Sequence, residues 1–144
     1  IFGFNKLYKW QREIRINAKV FSLHDGPPYA NGVPHLGHAV NKILKDIINR
    51  FHMLRGDKIH YQPGWDCHGL PIEMKAVNNY GKHKVSNLRR LCKEYALAAI
   101  EKQKEAFQIW GVMANWKDCY YTFNNHYESN EILNFFNLFT KVIN

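Results

Sequence analysis

"KVFSLHDGPPYANGVPHLGHAVNKILKDIINRF", residues Lys19 to Phe51, decides how the chain is read. It opens as a strand: Val20, Phe21 and Leu23 point to β structure as far as Asp25. It stops at Gly26-Pro27-Pro28, where fixed φ angles and missing N–H donors cannot extend a ladder. Asn31-Gly32 is a turn dipeptide, so residues 26–34 are expected to form a loop. From His35 the apolar spacing changes to three and four. Leu36, Val40, Ile43, Leu44, Ile47 and Phe51 form one stripe, which predicts a helix with that stripe turned to the core. Lys42, Lys45, Asp46, Asn49 and Arg50 fill the other face, and Asp46 can pair with Arg50 at i,i+4. Pro34 suits the first helical turn and Gly56 the residue just past the last.

The next segment, "KIHYQPGWD" (Lys58 to Asp66), reads as a second strand ending at Gly64. "LPIEMKAVNNYG" then begins a helix near Pro71 that ends at Gly81. Strand, loop, helix and strand in this order make a βαβ unit, hence a parallel sheet with a right-handed crossover. Flanking segments are simpler. "NKLYKWQREI" (Asn5 to Ile14) predicts a leading helix with Leu7, Trp10 and Ile14 on its buried stripe. Ser86 is the expected N-cap of a long helix to Trp110, closed by Gly111. "NWKDCYYTF" reads as mostly irregular, and a last helix is expected from His126 to Val142. Residues 1–18 are therefore expected to be a helical leading segment and residues 19–144 the α/β unit.

A chain of 144 residues, 46% hydrophobic and 15% aromatic, can build one packed core. Its net charge of +8, from 20 basic and 12 acidic residues, fits a polyanionic partner, either nucleic acid or nucleotide phosphate. Solubility alone is the plainer explanation. Cys67, Cys92 and Cys119 are few, far apart and form no C-x-x-C pair. They point to free thiols in a reducing compartment and away from a structural zinc site. No apolar run approaches the roughly 18 residues of a membrane span.

In open parallel sheets ligands bind beyond the carboxyl ends of the strands. Gly26–His38 and Gly64–Gly69 both fall there. His35 and His38, three apart at a helix start, share a face where free N–H groups and the helix dipole attract anions. Gly37 between them leaves room for a flat ring or a backbone. A histidine pair could instead hold a metal with His24 or Asp25, or be idle on the surface; anion binding is the reading favoured here. Neither a Walker loop nor a G-x-G-x-x-G fingerprint occurs. Asp66, between glycines at a strand end, suits a substrate ammonium or a ribose hydroxyl, with plain solvation as the alternative. Trp65 is expected in the core. Cys67 beside His68 is a poor candidate nucleophile, because loop neighbours rarely face each other.

His35-Leu36-Gly37-His38 resembles the "HIGH" signature of the class I aminoacyl-tRNA synthetases. "HDGPPYANG", "GHAVNKILKDI" and "PGWDCHGLPIEMK" are most similar to its isoleucyl branch, of bacterial or organellar type. The likeness is densest from Leu23 to Lys75 and continues weakly to "YESNEILNFF". "NRFHMLRGDKIHYQPGWDCHGLPIE" is similar to animal mitochondrial members. The resemblance implies a fold, the amino-terminal half of a Rossmann-like nucleotide-binding domain with a parallel sheet. It implies a reaction: isoleucine and ATP, the latter with Mg2+, give isoleucyl-adenylate, and the acyl group passes to tRNA(Ile) for translation. It also implies roles. His35 and His38 would be the catalytic contacts to the phosphates, and Asn31 and Gly37 would complete the ATP site. Gly26 and Pro27 would line the amino-acid site, and Asp66 would bind the ammonium. No resident metal and no membrane are expected.

By the same resemblance the parent enzyme is expected to act as a monomer in the mitochondrial matrix, with the bacterial cytoplasm as the alternative. The family's lysine-bearing "KMSKS" loop, editing insertion and anticodon-binding region are not in these residues. The expectation is thus a segment that stops before the editing insertion and is incompetent alone. The competing readings are a non-catalytic basic RNA-binding module and an inactive truncated product.

Overall fold

The computed structural model describes residues 4–80 and 87–143. The elements run α1 (Phe4–Ile14), β1 (Val20–Ser22), α2 (Leu36–Leu54), β2 (Lys58–His60), β3 (Gly64–Trp65), α3 (Leu70–Tyr80), α4 (Leu88–Ile109), β4 (Tyr120–Tyr121) and α5 (Asn125–Ile143). β1 and β2 pair in parallel, with Val20 opposite Lys58, Phe21 opposite Ile59 and Ser22 opposite His60. α2 connects them, which is the expected βαβ unit. Gly56 and Gly111, with φ of +100° and +80°, end α2 and α4 as the sequence predicts. The expected helix signals at Gly81 and Ser86 lie outside the described residues.

The stretch from Lys58 to Asp66 is not one strand. Pro63 has no N–H and splits it. β2 stays with β1, whereas β3 pairs in parallel with β4, Gly64 opposite Tyr120 and Trp65 opposite Tyr121. β4 lies inside "NWKDCYYTF", which was expected to be mostly irregular. Two residues are too few for alternation to show, so the pairing comes from Pro63 and Trp65 carbonyls that accept from Tyr120 and Thr122 N–H at 3.0 and 3.2 Å.

The core forms around Trp65, which is fully buried. Its ring stacks on Phe107 and Tyr121 and meets Trp116, while Ile59, Tyr61, Ile72, Ile100 and Met113 close the remaining sides. Aromatic burial on this scale supplies much of the apolar area that a domain of this size needs.

Two helices present faces opposite to those expected. In α1, Leu7 packs against the core as expected, but Tyr8 and Gln11 are the buried residues while Trp10 and Ile14 are exposed. Gln11 donates from Nε2 to the Ile59 carbonyl at 3.0 Å and accepts the Ile59 N–H at 2.9 Å. Tyr8 Oη accepts the Tyr61 N–H at 3.1 Å. The outer backbone of β2 has lost access to water, and only polar side chains can satisfy it. In α2 the inversion is greater. Lys42, Asn49 and Met53 are its buried residues, while the stripe Leu36, Val40, Ile43, Leu44, Ile47 and Phe51 is at least 40% exposed at every position. The side of α2 that meets the rest of the chain has polar demands. Asp46 accepts the Met113 N–H at 2.7 Å, Arg50 donates to the Gly111 carbonyl at 2.8 Å, and Asp25 needs a cation. α5 is likewise exposed along Ile132, Leu133, Phe135, Phe136, Leu138 and Phe139. Among the described residues no helix is long and apolar enough to cross a membrane.

Candidate active site

The site begins where β1 ends. Residues 26–34 turn across the carboxyl ends of the strands, and their far half runs beside β3. Asp66 N–H donates to the Pro28 carbonyl at 3.0 Å, and Ala30 N–H donates to the Asp66 carbonyl at 2.8 Å. Gln103 of α4 locks this run from behind. Its Nε2 donates to the Tyr29 and Gly32 carbonyls at 3.0 and 2.9 Å, and its Oε1 accepts the Trp65 indole N–H at 3.0 Å. The two stretches singled out in the sequence, 26–38 and 64–69, are thus neighbours in space.

α2 opens on the two histidines, and they cap it. His35 is the N-cap, and its Nδ1 accepts the Gly37 N–H at 3.1 Å. His38 reaches back, and its Nδ1 accepts the His35 N–H at 3.2 Å. The pair therefore occupies both roles of a capping box, usually taken by Ser or Thr with Glu or Gln. The chemical consequence is a tautomer. An Nδ1 that accepts carries no proton, so in each neutral ring Nε2–H is the donor left for a ligand. The rings lie together, centroids 4.0 Å apart. Burial, with the nearby His35 and Lys42 charges, holds the His38 imidazole below its ordinary 6.5.

A cavity of about 250 Å3 lies against this cap, lined by Gly26, Pro28, His35, Gly37, His38, Asn41 and Lys42. It gathers Gly26, His35, Gly37 and His38 from the expected set. Asp66 reaches the same turn through its backbone, and its carboxylate accepts the His68 N–H at 3.4 Å. Pro27 lines a separate depression of about 470 Å3 with His24, Asp25, Tyr120 and Tyr127. Asn31 faces α3 and α4 instead: its carbonyl accepts from Lys75 Nζ and from Tyr95 Oη. His24, on the strand end, does not reach the histidine pair's cavity. Gly37 is crowded by the His35 ring, whose nearest atom would stand 3.0 Å from a Cβ there. Gly26 has open space, the nearest atom being Lys45 Nζ at 3.6 Å from such a Cβ. Cys67 is buried and donates to the Trp65 carbonyl, and burial pushes its thiol up to about 11, which makes it a poor nucleophile.

Lys42 was missed by the sequence reading. It is 1% exposed, yet it is one of the residues that line the cavity. Its Nζ donates to Asp25 Oδ2 at 2.5 Å and lies 3.5 Å from Tyr61 Oη. Lys45 donates to Asp25 Oδ1 at 2.9 Å. Burial pulls the Lys42 ammonium's pKa down, and the Asp25 carboxylate opposes that pull. One carboxylate thus faces two cations, and the excess positive charge sits beside the histidine cap. The signal available in the sequence was position: Lys42 follows His38 by four residues, so both lie on one face of the helix.

An α/β unit with a parallel β1–β2 pair, crossed over by a histidine-capped helix that opens on a cavity beyond the strand ends, defines a Rossmann-like domain. The chain belongs to the class I tRNA synthetases (I, L, M and V), whose family model matches residues 3–143. It is 54% identical to the mitochondrial isoleucine--tRNA ligase of Macaca fascicularis and 57% identical to that of Gallus gallus, each over 96% of this chain and 14% of the relative. It is 49% identical to the isoleucine--tRNA ligase of Aliarcobacter butzleri over 87% of this chain and 14% of the relative. The chain therefore spans about one seventh of the length of the relatives it matches. Its fold is also that of the LeuRS chain in a LeuRS-tRNA-LeuAMS ternary complex from Agrobacterium radiobacter K84. That match has a TM-score of 0.72 and 24% identity, covering 98% of this chain and 18% of that one.

Proposed function

We propose that this chain is the part of an isoleucine–tRNA ligase that grips ATP and the amino acid during adenylation. The observation that carries the reading is the cavity where Gly26, His35, Gly37, His38 and Lys42 meet beyond the strand ends. Two Nε2–H donors, with the positive field of the Lys42 and Lys45 ammonium groups behind them, suit phosphate oxygens, and the turn at Gly26-Pro27 with Asp66 beside it suits an amino acid. Adenylation needs no base, since the isoleucine carboxylate is ionised already. Its oxygen attacks the α-phosphorus, the carboxyl–phosphate bond forms, the bond to the β-phosphate's bridging oxygen breaks, and pyrophosphate leaves with the electron pair. Positioning and charge stabilisation carry such a transfer. In this reading His35 and His38 are catalytic, Asn31 and Gly37 shape the nucleotide side, and Gly26, Pro27 and Asp66 hold isoleucine. Asn31 acts through the turn that its carbonyl anchors.

Mg2+ accompanies ATP in this scheme. The cavity wall offers imidazoles and an amide but no carboxylate, and Asp25 is occupied by Lys42 and Lys45. The ion is therefore held by the nucleotide and not by these residues. The acceptor is tRNA(Ile), consistent with the +8 net charge, and the parent acts as a single chain. Residues 19–144 are the α/β unit that carries the site and residues 1–18 the leading segment, whose α1 braces β2. The mitochondrial matrix is the favoured location, supported by identities of 54–57% to vertebrate mitochondrial relatives against 49–52% to bacterial ones.

The test is isoleucine-dependent exchange of pyrophosphate into ATP by the full-length protein that carries these residues. Exchange with isoleucine, and transfer to tRNA(Ile), is expected, with this 144-residue chain alone inactive. Exchange that requires a different amino acid, or salt-sensitive RNA binding with no exchange at all, would refute the reading.

A further inference from the structure

Asp25 takes no part in the chemistry above, yet it bonds to both elements that flank the site. Its side chain is fully buried at the point where β1 meets the Gly26-Pro27 turn. Oδ2 accepts from Lys42 Nζ at 2.5 Å and from the Gly64 N–H at 3.3 Å, and Oδ1 accepts from Lys45 Nζ at 2.9 Å. Its own carbonyl accepts from Tyr120 Oη at 2.9 Å. Lys42 lies one helical turn after His38, Gly64 lies two residues before Asp66, and Gly26 is the next residue along. One carboxylate therefore joins the element that carries the phosphate donors, the strand that presents Asp66 and the turn at Gly26 and Pro27.

We infer that Asp25, through Lys42 and the Gly64 amide, is a positioning residue that sets the amino-acid turn and the histidine-capped helix at their working separation. The inference rests on the adenylation reading above. The physical case is rigidity. A charged carboxylate buried among two ammonium groups and an amide has few alternative arrangements of comparable energy, since losing any partner leaves a buried charge uncompensated. Solubility or general stability would be served as well by an apolar residue at the end of β1. A junction that must hold two substrates in line gains from a directional contact to each side. Neither isoleucine nor ATP needs to touch Asp25 for this. Each keeps its own binding groups, and what Asp25 decides is how those groups stand relative to one another.

Kinetics of the full-length ligase separate this role from a structural one. Asp25→Asn and Lys42→Met are each expected to lower kcat for isoleucine-dependent pyrophosphate exchange on the order of 100-fold, as a misplacement near 1 Å does. KM for ATP and KM for isoleucine should each stay within about threefold, because neither ligand loses a contact. The double variant Asp25→Asn/Lys42→Met removes both members of the pair. It should regain thermal stability lost by either single variant while its kcat stays low. Recovery of kcat together with stability would reduce the pair to a folding role and overturn the inference. So would a rise in KM for ATP at constant kcat, which would make Lys42 a phosphate ligand. A wild-type protein with no isoleucine-dependent exchange would remove the functional reading instead. Amide hydrogen exchange then decides the positioning role without turnover. Joint loss of protection at His35, Gly37 and Gly64 in Asp25→Asn supports it, and loss confined to Gly64 overturns it.

Discussion

The N–H of His35 donates to Nδ1 of His38, so the helix that opens the site is capped by the same two side chains that face the cavity. Structure and chemistry can be separated there by substitution. Gln at position 38 supplies the usual capping-box acceptor but no imidazole. His38→Gln should therefore melt close to wild type while isoleucine-dependent exchange falls on the order of 100-fold, the effect of losing one fixed donor to developing charge. His38→Ala should lose the exchange and also about 0.5–1 kcal/mol of stability with the cap. Thermal unfolding and exchange rates on the same samples check both; exchange preserved in His38→Gln contradicts the donor role.

The cap also links stability to pH. The folded protein holds the His38 pKa below 6.5, through burial first and the nearby positive charges second. The unfolded chain then binds the proton more readily. The cap's contribution is fully present above pH 6.5 and is lost as pH falls through the depressed folded value. Urea unfolding between pH 7.5 and 5 should show wild type losing more stability than His38→Gln. Parallel curves would contradict the linkage.

Gly64 is required by its neighbour. A Cβ there would run into the Tyr120 ring, and that ring cannot step aside. Its hydroxyl holds the Asp25 carbonyl, and its face stacks on Tyr127 with centroids 6.2 Å apart. Gly64→Ala should cost about 1–3 kcal/mol, the usual range for overpacking. Adding Tyr120→Ala should make the pair of substitutions less than additive, since the clash is gone. Denaturant midpoints of the two single variants and the double test it.

Gln103 offers a larger loss from one amide. It closes three hydrogen bonds between α4, the 29–32 turn and Trp65. Gln103→Leu keeps the volume but strands a buried indole N–H and two carbonyls. A loss of about 3 kcal/mol or more is expected, at about 1–3 kcal/mol for each of the three groups denied water. An unchanged denaturation midpoint would show that water replaces the amide.

The outward stripe on α2 predicts a surface property. Leu36, Val40, Ile43, Leu44, Ile47 and Phe51 present apolar area to water in this chain. The 144-residue chain should bind a hydrophobic dye, and Ile47→Lys should reduce that binding with a stability change within about 0.5 kcal/mol. A large loss of stability would place Ile47 in the core after all.

The legible parts of this fold share a cause. The βαβ order, the stop at Gly26-Pro27-Pro28, the helix ends at Gly56 and Gly111 and the burial of Trp65 follow from backbone restrictions and side-chain size, which act within a few residues. The split of β2 from β3 followed the same kind of rule at Pro63, but its partner strand did not. Tyr120 and Tyr121 pair because of carbonyls more than fifty residues away. The faces of α1 and α2 were misjudged for a related reason. Periodicity ranks side chains by their dislike of water and takes no account of the buried backbone that Gln11 satisfies or the buried carboxylate that Lys42 neutralises.

The amino-acid sequence by itself determined the class of fold, the loop-to-helix junction that forms the site, and the histidines, glycines and aspartate expected there. Those depend on local conformational limits and on chemical identity. Tertiary structure alone decided that Pro27 and Asn31 face other surroundings, and that a lysine on the supposed solvent face is buried at the centre. Electrostatics in a dry interior depends on separation in space, and that separation is set only when distant segments pack together.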